Sequence, residues 1–266
     1  QLFKMNGGTT SSNPDGSITS TVQANTTAGM SIVTYTGTGS AATIGHGLGA
    51  KPDYIIVKRK SSNEWWQVYS SKFNSDDSSS FSTDSETDYI ELGLTGGLAD
   101  NVNRWNDTAA TSSVFSVGTH TGVNDSGSTY VAYCFVGIKG FSHIGLYRGN
   151  GVNDSSFIYT GGKPRMVLLK SLSAGGSWIM QDYGMNYNRL MGSGNQYHMK
   201  VETDDAKQAE TSGQYSGTGP SWIDFRANGF KIATSNASLG DGHKYIYIAF
   251  LEESIVSTNG VPATAR

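Results

Sequence analysis

Ser31-Ile32-Val33-Thr34-Tyr35-Thr36-Gly37 decides the fold. It alternates polar and β-branched or aromatic residues, the period of a half-buried strand, and it closes on Tyr-x-Gly. That close returns as Tyr147-Arg148-Gly149, and 147 − 35 = 112. Working outward, Lys51-Pro52 returns as Lys163-Pro164, Lys58 as Lys170 and Trp66 as Trp178, all 112 residues on. Further along, Phe115-Ser116-Val117 matches Phe230-Lys231-Ile232, and Tyr130…Phe135 matches Tyr245…Phe250, now 115 residues on (230 − 115 = 115). A constant offset across scattered aromatic and Lys-Pro positions is the mark of an internal duplication.

Each copy reads as β. Tyr54–Lys58, Trp65–Tyr69, Val114–Val117 and Tyr130–Val136 are short apolar or alternating runs, answered by Met166–Lys170, Trp178–Gln181, Phe230–Ala233 and Tyr245–Leu251. Asn-Gly, Gly-Gly and Asn-Asp pairs punctuate them as turns. The expected fold is all-β: two tandem β-sandwich-like units packed as one body, residues 30–140 and 141–254. Residues 1–29 read as the end of a preceding unit, Leu2-Phe3-Lys4, followed by an extended polar connector; residues 255–266 read as a tail. Trp66 and Trp178 are expected in equivalent buried places, and Trp105 is expected to correspond to Trp222.

Composition agrees. The 266 residues include 35 Ser, 25 Thr and 34 Gly but only 5 Pro, which disfavours long helices and excludes a collagen-like chain. The 19 basic and 22 acidic side chains leave a net charge of −3 with no basic stripe, so nucleic acid is not the expected partner. No apolar run approaches the ~18 residues of a membrane helix, so no membrane insertion is expected. The single cysteine, Cys134, permits no internal disulfide and reads as a small buried hydrophobe. The first residues do not form a signal peptide, and the missing initiator Met points to a fragment or a processed product.

The pattern resembles a module of tail-fibre and other virion proteins of marine bacteriophages. The residues carrying the likeness are Asp15–Val22, Asn25–Gly29, Ser31–Gly39, Gly45–Gly49, Pro52–Lys58, Tyr130–Phe135 and Tyr245–Phe250. The resemblance implies a virion structural protein and carries no catalytic residues with it. The functional expectation is the C-terminal part of a tail fibre or similar appendage, located on the virion and binding a host-surface glycan or protein. Other virion proteins and copies of itself, as a homotrimer, complete the expected partners. One alternative is a capsid-decorating or tail-assembly protein; another is a polysaccharide depolymerase.

Asp76-Asp77, Asp84, Glu86, Asp88, Glu202 and Asp204-Asp205 read as solvated loop acids, where a glycosidase needs two converging carboxyl groups. His46, His120, His143, His198 and His243 lack a nucleophile elbow beside any serine. Metal ligand spacing is absent, although Asn124–Gly127 and Asn153–Ser155 could supply calcium oxygens. No enzyme activity, metal or cofactor is therefore expected. Aromatics that do not recur are the binding candidates, because folding does not account for them. Trp65 is answered by Ser177, and Tyr183, Tyr187 and Tyr197 lie in a segment, 182–219, that the first copy replaces with an unrelated Ser/Asp-rich stretch, 71–104. Tyr and Trp faces beside amides suit sugar stacking.

Overall fold

A computed structural model describes residues 9–73, 87–152, 156–173, 175–186, 197–201, 208–209, 222–236, 238–252, 255–256 and 262–263. The fold is all-β with antiparallel sheets. The chain divides into two compact units: residues 1–92 with 98–138, and residues 93–97 with 139–266.

In the first unit a seven-stranded sheet has the order β1-β2-β3-β9-β5-β6-β7. Its strands are β1 (Ser11–Asn13), β2 (Ser20–Asn25), β3 (Met30–Thr36), β5 (Tyr54–Arg59), β6 (Trp66–Ser70), β7 (Ile90–Leu92) and β9 (Thr129–Phe135). A second layer pairs β4 (Ala42–Gly45) with β8 (Val114–Val117). Val33, Tyr35, Ile55, Val57, Ala132 and Cys134 from the large sheet bury against Ile44, Phe115 and Val117 from the small one. Two one-turn helices, α1 (Val102–Trp105) and α2 (Thr121–Asn124), flank β8.

The second unit repeats the plan. Its six-stranded sheet is β10-β18-β12-β13-β14-β15, and a three-stranded sheet is β11-β17-β16. The strands are β10 (Ser142–Arg148), β11 (Phe157–Tyr159), β12 (Pro164–Ser171), β13 (Ile179–Asp182), β14 (Tyr197–Lys200), β15 (Gln208–Ala209), β16 (Ile223–Arg226), β17 (Gly229–Ile232) and β18 (Lys244–Leu251). Register is conserved between units. Ile55↔Tyr69 returns as Val167↔Gln181, Tyr54↔Phe135 as Met166↔Phe250, and Tyr35↔Tyr130 as Tyr147↔Tyr245.

The recurring residues now have physical reasons. Tyr35 stacks on Tyr130 at 5.1 Å and donates to Val123 O at 2.7 Å; Tyr147 stacks on Tyr245 at 4.9 Å and donates to Leu239 O at 2.8 Å. Burial pushes both hydroxyls well above the ordinary phenol value. The glycine two residues on lets a loop carbonyl pass close by: a Cβ at Gly37 would lie 2.3 Å from Asp125 O, and one at Gly149 2.5 Å from Gly240 O. Lys58 donates to Ser62 O and Glu64 O, and the fully buried Lys170 to Ser171 O, Gly176 O and Thr95 O. Glu64 and Gly176 are themselves 112 residues apart, so each ammonium pins the same hairpin loop.

Three expectations fail. The stretch read as a connector is part of the first sandwich: β1 and β2 extend the large sheet, and Ile18 and Val22 enter the core. Its small polar residues suffice because strand pairing supplies backbone hydrogen bonds and two aliphatic side chains supply the burial. Leu2-Phe3-Lys4 lies outside the described residues. Trp66 does not share the burial of Trp178, which is 1% exposed. The Trp66 ring is half-buried and lies over Tyr133 at 6.2 Å, on the face of β6 opposite the sandwich core. Gln67 and Tyr69 take the inner face instead. Trp105 and Trp222 do not correspond either. Gly118 N–H donates to Arg104 O where Ala233 N–H donates to Trp222 O, which aligns Trp222 with Arg104.

Candidate functional site

That last alignment exposes the sharpest difference between the units. In the first, the place of Trp222 and Ile179 is taken by Arg104 and Gln67. Helix α1 sets Arg104. Asn101 caps it by accepting from Asn103 N–H at 3.0 Å, and Asn106 ends it in the left-handed conformation. Trp105 then turns into the core against Tyr69, ring centroids 5.8 Å apart, and Arg104 is left beside β6 and β7.

The guanidinium donates to Gln67 Oε1 and, at 3.1 Å, to Glu91 Oε1; it also lies 4.2 Å from the centroid of the Tyr89 ring. Gln67 Nε2 donates to Glu91 Oε1 at 3.1 Å and to Trp65 O at 2.9 Å. The Arg104 side chain is 7% exposed, and its Nε is buried without a partner among the described residues. A buried charge pair of this kind brings a desolvation cost that an apolar pair avoids. The second unit builds the same hairpin with Ile179 at the position of Gln67, so folding does not require the polar set.

His120 borders the cluster. Its Nδ1 accepts from Gly122 N–H at 2.9 Å as the cap of α2, and Gly122 packs against the Gln67 side chain. Burial lowers the His120 pKa, the Arg104 charge lowers it further, and Glu64 and Glu91 oppose both. Thr121 Oγ1 donates to Glu64 Oε1 at 2.8 Å. Trp65, between Glu64 and β6, is 47% exposed. An exposed indole is thus tied, through its own carbonyl and Gln67, to a buried guanidinium–carboxylate–amide set bordered by an imidazole. The open ring face can stack on the apolar face of a ligand, while the buried set holds the Trp65 backbone through the bond from Gln67 Nε2 to Trp65 O.

The other candidates are placed differently. Tyr183, in a 3-10 turn after β13, has Lys163 Nζ 3.9 Å from its ring centroid and Phe225 at 6.2 Å edge-on, so much of its surface is engaged in packing. Tyr197 is in β14, its backbone paired with Ala209. Tyr187 lies outside the described residues. Trp65 belongs to the first unit, and Tyr183 and Tyr197 to the second. Sequence reasoning missed Arg104, Gln67 and Glu91 because they come from three elements with no motif spacing. The usable signal was the failure of Gln67 to recur.

His46 is a structural group. It is buried, its Nδ1 accepts from Leu48 N–H, and its Nε2 faces Thr111 O at 3.2 Å; burial lowers its pKa. Its counterpart is Thr160, whose hydroxyl donates to Gly162 O at 2.7 Å. Asn124 spends its amide on Ser40 O, Gly118 O and Thr38 N–H, and Asp125 pairs with Arg59 at 2.6 Å, so these groups already serve the loop. Asn153–Ser155 is outside the described residues. No group of three or more metal-ligating side chains occurs among the described residues.

The family model of DUF7483, a domain of unknown function, matches residues 3–254. The chain belongs to the DUF7483 family. A single match takes in the N-terminal strands and most of both units. No curated protein and no solved structure matches the chain.

Proposed function

We propose that this DUF7483 chain is the host-binding part of a bacteriophage tail fibre or similar virion appendage, and that it binds a surface glycan without turning it over. The observation that carries the binding reading is the Trp65 rim. A costly buried Arg104–Glu91–Gln67 set stands beside an exposed indole, in the one unit of two whose fold does not need it. The virion assignment rests on the sequence resemblance alone. Binding is favoured over hydrolysis because Glu91 is engaged by Arg104 and Gln67, and Glu64 by Thr121. Both carboxylates thus already accept from neighbouring side chains, where a glycosidase aims a pair of them at the scissile bond.

The test is a panel of immobilised bacterial surface polysaccharides probed with the wild-type chain, Trp65→Ala and Arg104→Met, with polymer size measured before and after. The expected result is retention of at least one polymer by wild type, loss in both variants and no shortening. Shortening of the polymer would support the depolymerase. Failure to bind any polymer, with the chain found in a shell lattice on the particle, would favour the decorating protein.

A further inference from the structure

The units also differ at one sheet edge. In the first, the outer edge of β4 is closed by the chain's own N-terminal segment. Ile18 N–H donates to Thr43 O at 3.1 Å, Thr43 N–H to Ser17 Oγ at 2.9 Å, and Ser20 Oγ to Gly45 O at 2.8 Å. Ile18 pairs with Ile44 in a parallel bridge, and its side chain joins the core. The fit is close: a Cβ at Gly16 would lie 2.3 Å from Thr43 O, and one at Gly45 2.0 Å from Asn13 Oδ1.

Strand β11 is the second unit's β4. Ile44↔Phe115 returns as Ile158↔Phe230, and the bond from His46 N–H to Ser113 O returns as Thr160 N–H to Asn228 O. Residues 156, 158 and 160 therefore turn their backbone toward β17. Alternation turns the N–H and C=O groups of Phe157 and Tyr159 to the outer edge, where neither has a partner among the described residues. Their side chains are 48% and 63% exposed, while Ile158 between them is buried. Thr43 and Gly45 hold these positions in β4.

We propose that β11 takes an extended polypeptide segment of a partner, with the hydroxyl–aliphatic–x–hydroxyl pattern of Ser17-Ile18-Thr19-Ser20, as β4 holds residues 17–20. Exposed strand edges are templates for an added strand, and proteins otherwise blunt them with charge, proline or a cover. The exchange of Thr43 and Gly45 for Phe157 and Tyr159 fits an untethered guest. Residues 17–20 are held near β4 by the chain itself, at high effective concentration, and need little apolar area. A separate segment has no such tether, and two aromatic rings supply the burial in its place.

The test uses the full chain and a synthetic peptide of residues 13–22, labelled for fluorescence anisotropy. The paired variant carries Phe157→Thr and Tyr159→Thr, which keep a β-former at each position. The expected result is saturable binding to wild type, weakened at least about tenfold in the paired variant. Hydrogen exchange should slow at residues 157 and 159 when peptide is present. A second peptide with proline at the position of Ile18 loses the N–H that Thr43 O receives in the first unit, and should not bind. No binding to wild type, equal binding by the paired variant, equal binding of the proline peptide, or self-association through β11 that excludes peptide would each overturn the proposal. A melting temperature for the paired variant within a few degrees of wild type separates lost docking from lost folding.

Discussion

Lys58 and Lys170 do one job in two places, whereas Gln67 and Ile179, at one register position, do not. The first comparison separates what the sandwich needs from what it tolerates. A lysine ammonium pinning the hairpin loop, a stacked tyrosine pair and a glycine under a loop carbonyl occur in both units. The second comparison isolates Arg104, Glu91 and Gln67, which one unit has and the other replaces with Ile179 and Trp222. Duplication thus acts as an internal control. A residue present in both units is explained by folding, and a costly residue in only one asks for another explanation.

The comparison breaks most visibly at tryptophan. Trp178→Ala should cost about 3–5 kcal/mol, the price of removing a large, fully buried side chain. Trp66→Ala, at the matching position and on the matching face but only half-buried, should cost about 1 kcal/mol or less. Denaturant unfolding of the two variants measures both, and equal losses would restore the equivalence that the structure denies. Next come the glycines. Gly37→Ala and Gly149→Ala should each cost about 1–3 kcal/mol, because a loop carbonyl must shift. Unequal losses would show that Tyr-x-Gly does different work in the two units.

Arg104→Met should lower stability by roughly 1–2 kcal/mol, since Glu91 loses its cation but keeps the Gln67 amide and some solvent. Adding Glu91→Gln should recover much of that, as a double-mutant cycle would report.

The smallest effect is on pH. His46 and His120 have folded pKa values lowered chiefly by burial. Their stabilisation is fully present above the unfolded value near 6.5 and is lost as pH falls through the folded values. Thr160 takes the place of His46, and Asn236 that of His120 (Ser238 N–H donates to Asn236 Oδ1 as Gly122 N–H does to His120). Replacing His46 with Thr and His120 with Asn should therefore flatten the fall in melting temperature between pH 7 and pH 5. An unchanged slope would remove these two groups from the account.

The repeat made the fold legible. Offsets of 112 and 115 residues located the matching strands, and the register of the central hairpin follows them without slip. The N-terminal strands were not legible, because Ser11–Asn13 and Ser20–Asn25 carry few apolar residues and owe their order to pairing with β3 and β4. The burial of Trp66 was misread because the repeat fixes its strand position and its face, which match those of Trp178, but not how far that face is covered. Of the site, only Trp65 could be singled out, as a non-recurring aromatic. Arg104 and Glu91 meet Gln67 through the placement of α1 and β7, which no local pattern encodes.

Polysaccharide binding by the wild-type chain and by Gln67→Ile with Arg104→Trp tests the central claim most directly, since those substitutions give the first unit the residues of the second. The account predicts a chain that still folds, judged by a melting temperature within a few degrees of wild type, and that no longer retains the polymer. A variant that folds and binds like wild type would contradict it.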